Sequence, residues 1–142
     1  AYATCKEEVE NILADFRNRD IPVAVINEHL QGDLVKFYGV HGTDFFYWFY
    51  PSPCSHSKFG LEKINGIAKG IPFSVEELKI QSDKAAEALN VPIYGGDCVV
   101  SADGTLRIID FNDWPSFARC REEAGGKIAE CIYNRAKKQM KQ

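Results

Sequence analysis

The chain has 142 residues, 45% of them hydrophobic, which is enough for one domain with a sizeable core. A formal net charge of −3 excludes a general attraction to nucleic acid, so an anionic nucleotide would need locally placed cations or a metal. Five cysteines without C-x-x-C spacing point to reduced thiols in a cytoplasmic setting, and no signal peptide or membrane-length apolar run is present.

Thr4 and Glu7 fit a capping box, with Thr4 as N-cap and Glu7 reaching back. Behind them Cys5, Val9, Ile12, Leu13 and Phe16 recur at helical spacing, which predicts an amphipathic helix over residues 5–18 ended by a polar stretch and Pro22. Residues 23–27 (VAVIN) read as a buried strand by their branched side chains. After Glu28-His29-Leu30-Gln31-Gly32-Asp33, residues 34–40 and 45–50 read as an antiparallel hairpin turning at His41-Gly42-Thr43. The run FFYWFY in its second arm lacks the interleaved basic residues of a base-stacking platform, so it is expected to be a strand buried on both faces.

Residues 51–60 form a loop by composition, and residues 61–73 are poorly patterned. In that loop His56 and Lys58 are candidate substrate contacts. His56 has no partner acid or nucleophile in sequence, and Cys54 has no neighbouring base to activate it. Ser74 and Glu77 make a second capping box. Val75, Leu78, Ala85, Ala86 and Leu89 then line one face of a helix that Asn90 and Pro92 end. A last helix is expected over residues 117–138, with Ala124, Ile128, Cys131 and Ile132 as its stripe and a bend or close packing at Gly125-Gly126. The basic tail of Lys137, Lys138 and Lys141 suits a helix C-terminus electrostatically and needs no ligand.

Between these helices lies VPIYGGDCVVSADGTLRIIDFNDWPSF, residues 91–117. Asp103-Gly104 is a strong hairpin signal, and a type I′ turn there would carry positive φ at both residues. Asp97 lies six residues before Asp103 and Asp110 six residues after Gly104, so the two should face each other across the strands, and an odd-length loop would break that pairing. Asn112 shares the face by the period of two. Facing carboxylates repel, which makes them a poor structural pair but, with an adjacent amide oxygen, a natural Mg²⁺ site. Asp and Asn near strand ends also serve as turn and cap residues. An EF-hand is excluded, because its first ligand would be Val99.

GGDCVV, a short hairpin and IIDFNDWPSF together resemble the C-terminal signature of the ATP-grasp superfamily, and IIDFN is also similar to its inositol-phosphate kinases. The resemblance spans residues 23–119. It implies an α+β fold, an antiparallel sheet flanked by helices as in the C-terminal ATP-grasp lobe, with ATP and Mg²⁺ as cofactors. Asp97, Asp110 and Asn112, near Pro115, would be the metal ligands. Glu28, His29 and Leu30 would be the adenine hinge, Asp33 the ribose acid, and Lys36 the catalytic basic residue facing the phosphates or the second substrate. Many relatives carry Arg where Lys36 stands, so bidentate recognition is not implied.

The implied activity is a carboxylate–amine or carboxylate–thiol ligase working through an acyl phosphate. The alternatives are a small-molecule kinase acting on a hydroxyl, a nucleotide-binding regulatory domain and a purely structural interaction domain. No G-x-x-x-x-G-K-[ST] loop and no glycine-rich lid upstream of residue 23 are present. The resemblance therefore implies one domain, residues 1–142, that is the C-terminal portion of a larger enzyme. Alone it is expected to bind nucleotide weakly and not to turn over. Its partners would be ATP and a small-molecule carboxylate or hydroxyl substrate, with neither nucleic acid nor membrane, and a truncated domain could self-associate through sheet edges.

Overall fold

A computed structural model describes residues 1–51 and 66–141. The described chain forms two compact units, Ala1–Leu30 and Gln31–Gln142. The loop readings at Cys54, His56 and Lys58 lie outside the described residues. Among the described residues no helix is long and apolar enough to cross a membrane.

The first unit holds helix α1, Lys6–Asn18. Its N-cap is Cys5 rather than Thr4, which moves the third helical position onto Glu8. Accordingly Glu8, not Glu7, reaches back and accepts from the backbone N–H and hydroxyl of Thr4 at 2.6 and 2.9 Å. Asp20 takes a left-handed φ of 56° just past the helix, and Ile21 N–H donates to the Phe16 carbonyl, a Schellman ending. Val9, Ile12, Leu13 and Phe16 are half-buried, as the stripe predicts. Residues 23–27 do not form the buried strand expected: Val23, Val25 and Ile26 are 75, 82 and 67% exposed. Branched residues favour extended backbone, but a strand also needs a partner to satisfy its N–H and C=O groups, and no described strand pairs with this run.

The second unit is an α+β fold. Four antiparallel strands, β1 (Asp33–Val40), β2 (Phe46–Phe49), β3 (Ile93–Val100) and β4 (Leu106–Asp113), lie in the order β2-β1-β3-β4. Helix α2, Val75–Leu89, packs Leu78 and Ala86 against Val35, Phe37, Tyr94, Cys98 and Val100 on one face. Helix α3, Arg121–Gln139, packs Ala124 and Cys131 with Val40, Phe45, Ile93 and Phe117 at one end of the other. Strand alternation sorts residues between these faces: Val35 and Phe37 are wholly buried towards α2, while Lys36 and Tyr38 are half-buried on the α3 face. β2 is an edge strand whose four aromatic residues are half-buried, not a strand enclosed on both faces, because an edge position leaves part of each large ring uncovered.

Ser74 caps α2 by accepting from Glu77 N–H, and Asn90 closes it in the left-handed region at φ 54°. The buried stripe is Leu78, Ser82 and Ala86, at i, i+4 spacing, whereas Val75 and Leu89 are exposed. α3 starts four residues later than its composition suggests. Phe117 sits at φ 48°, which a helix cannot contain, and its ring is buried against Tyr38 and Phe45. A Cβ at Gly125 or Gly126 would meet nothing within 4 Å, so close packing does not explain these glycines.

Candidate metal and nucleotide site

The β3–β4 connection is a five-residue loop, residues 101–105, closed by Gly104 N–H to the Ser101 carbonyl at 2.8 Å. Only Gly104 takes positive φ, at 82°, so the expected type I′ turn is replaced by a longer loop. Asp103 stays within it by accepting from Thr105 N–H at 3.0 Å, which holds its carboxyl below the usual value. An odd loop alone would move Asp97 out of line with Asp110. A β-bulge between Asp97 and Cys98 restores the match: Cys98 pairs with Ile108, Asp97 pairs with Asp110, and Ile109 is the extra residue. Two departures from the ideal hairpin cancel, and the two aspartates face each other.

Lys36 is the cross-strand neighbour of Asp97 on the other side, and Phe49 is the neighbour of Lys36. The sheet therefore carries a transverse row Phe49–Lys36–Asp97–Asp110 on its α3 face, with Asn112 one step along. Lys36 Nζ lies 2.9 Å from both Asp97 oxygens, and Asn112 Nδ2 donates to Asp110 Oδ2. Each carboxylate thus has its own donor, which is how the sheet tolerates like charges roughly 5 Å apart. The side chains of Lys36 and Asp97 are 27 and 22% exposed, and Asp110 and Asn112 are exposed.

Backbone close to the row is shaped by two glycines. A Cβ at Gly96 would stand 2.2 Å from the Asp110 carbonyl oxygen, and one at Gly95 would stand 2.8 Å from Pro115 Cγ and from the Tyr38 ring. Gly95 is paired with Asn112, so Pro115 closes over the strand beside the amide. Arg119 lies with its guanidinium 4.3 Å from the Phe49 ring centre, adding a second cation at the Lys36 end of the row. Sequence reading missed Arg119, which sits in the turn before α3; only the cross-strand position of Phe49 reveals its place.

The other candidates are placed differently. Asp33, expected as a ribose acid, is 3% exposed, and its two oxygens accept from the Lys69 and Ile71 backbone N–H groups at 2.8 Å each. Burial pushes its pKa up, but these backbone bonds outweigh that and leave it below the usual value. Gly70, at φ 76°, turns the two amides towards one carboxylate. Glu28, His29 and Leu30 belong to the first unit, where the His29 ring meets Tyr2 edge-on at 5.0 Å. Cys98 is fully buried and its thiol is pushed up to about 11 by burial, so it stays protonated and inert at neutral pH.

Among the described residues no three His, Cys, Asp or Glu side chains converge as a closed metal cage would. Two carboxylates and an amide are a different donor set. They fit Mg²⁺, which takes one or two carboxylates and fills its remaining positions with water and phosphate oxygens. Rotation of the Asn112 amide would present its oxygen where its nitrogen now meets Asp110. Comparisons with protein-family models, curated proteins and solved structures each return no match.

Proposed function

We propose that the second unit carries a magnesium–nucleotide site of the ATP-grasp kind, serving an ATP-dependent ligase that activates a carboxylate. The observation that carries this reading is the row Lys36–Asp97–Asp110 with Asn112, half-buried at Lys36 and Asp97 and exposed at Asp110 and Asn112. Asp97, Asp110 and Asn112 would hold the metal. The chemistry supplied by a metal held there would be neutralisation of phosphate charge for γ-phosphoryl transfer to a substrate carboxylate. Lys36 balances Asp97 in this structure and would turn its ammonium towards phosphate when a nucleotide is bound. Arg119 supplies a further donor group at the same end. Positioning and charge carry most of such a step, so no protein general base is assigned.

Mn²⁺, a spectroscopic stand-in for Mg²⁺, tests the site directly. Titrated into isotopically labelled protein, it should broaden the amide signals around Asp97, Asp110 and Asn112 first, and more strongly with ATP present. Broadening spread over acidic surface residues elsewhere, with these signals unchanged, would contradict the assignment.

A further inference from the structure

The C-terminal half of α3 and the β1–β2 turn enclose a groove of about 510 Å³, away from the residues of the aspartate row. Its walls include Arg135, Lys137, Lys138 and Lys141 with His41, and among the described residues no Asp or Glu lines it. This is unusual in a chain of net charge −3. Elsewhere Lys6, Lys36, Lys79 and Lys127 pair with carboxylates, whereas among the described residues none of these four cations has a carboxylate partner: Arg135 donates to Asn90 Oδ1 at 2.7 Å and Lys137 lies 5.9 Å from the Tyr133 ring centre. The end of α3 contributes about half a negative charge through its orphan carbonyls. Four formal positive charges exceed that several-fold, so helix-end compensation does not account for the cluster.

A second groove, of about 450 Å³, adjoins the first and shares Cys131, Arg135 and Gln139 with it. Its walls are largely apolar, among them Val91, Pro92, Ile93, Trp114 and Ile132, with Asp113 as its carboxylate. Trp114 stands at φ 43°, an uncommon conformation for a bulky residue, and is 61% exposed. The exposed Trp114 ring stands at this apolar trough, where it can wall the apolar body of a ligand.

We infer that this double groove binds a small phosphate ester, with its phosphate among Arg135, Lys137 and Lys138 and its apolar or aromatic body between Trp114 and Ile132. Charge complementarity selects the anionic head, and the apolar trough selects an ester over inorganic phosphate. The site is independent of the metal site, because it needs no cation beyond its own side chains.

The test is a titration of phenyl phosphate into the full chain with chelator present, read by calorimetry and by tryptophan fluorescence, beside inorganic phosphate and phenol. Phenyl phosphate should bind more tightly than either and perturb Trp114. The double substitution Lys137→Gln/Lys138→Gln, at exposed positions, should weaken it roughly five- to tenfold while leaving the helical circular dichroism unchanged. Raising salt should weaken it further, and Asp110→Asn should leave it unaltered. Absence of saturable binding, equal affinity in the double variant, equal affinity for inorganic phosphate, or sensitivity to Asp110→Asn would each overturn the inference. So would adhesion to anionic vesicles without binding of phenyl phosphate.

Discussion

Both oxygens of Asp33 are engaged by the chain's own backbone, and that sets how the fold responds to acid and to mutation. Asp33→Asn replaces one acceptor by an NH₂ group aimed at an N–H donor, and should cost about 1–3 kcal/mol by denaturant unfolding at neutral pH. Because the folded carboxyl titrates below its ordinary value of 3.8, its contribution is complete above that value and is lost as pH falls through the lower folded value. The stability gap between wild type and Asp33→Asn should therefore be constant near neutrality and shrink in acid below about pH 4. A gap independent of pH would mean that Asp33 is not charged in the fold. Gly96 gives a second prediction at this scale. Gly96→Ala places a methyl group 2.2 Å from the Asp110 carbonyl oxygen, so β4 must shift. The change should lower stability by about 1–3 kcal/mol and weaken metal-dependent nucleotide binding, although it removes no ligand.

At the scale of elements, the glycines of α3 are the clearest inefficiency. Gly125 and Gly126 are exposed within a continuous helix, and a side chain at either meets open space. Gly125→Ala/Gly126→Ala should stabilise the fold by roughly 1–2 kcal/mol through helix propensity, seen as a raised melting temperature. An unchanged or lowered melting temperature would show that the pair has a role that the open space hides. Elements also show what local sequence reveals. The caps of α2 were legible because Ser74 and Asn90 act through bonds to residues within one turn. The start of α3 was not, because Phe117 answers to Tyr38 and Phe45 on distant strands rather than to its own helical neighbours. Ser82 in the buried stripe of α2 escaped a purely hydrophobic pattern for the same reason: its burial is decided by the sheet beneath it.

For the molecule as a whole, the two antiparallel hairpins were legible in the strand patterns and the facing of Asp97 and Asp110 in a count from Asp103-Gly104, whereas the α+β class came from the family resemblance and the β1–β3 pairing that joins the hairpins had no local signal. The facing of the aspartates is reached by an odd loop and a compensating bulge, neither of which counting from Asp103-Gly104 contains. The buried engagement of Asp33 and the exposure of Val23, Val25 and Ile26 depend on which distant backbone is available, and a one-dimensional pattern does not encode that.

The central claim is a magnesium-dependent nucleotide site on the row Lys36–Asp97–Asp110 and Asn112. Calorimetric titration of Mg·ADP into the chain, beside a metal-free control and Asp110→Asn, tests it most directly. Weak binding that requires magnesium and disappears in Asp110→Asn, with the fold intact by circular dichroism, is the predicted result. Binding indifferent to magnesium and to Asp110→Asn, or no binding to a folded chain, would contradict it and leave the paired aspartates as a structural feature balanced by Lys36 and Asn112.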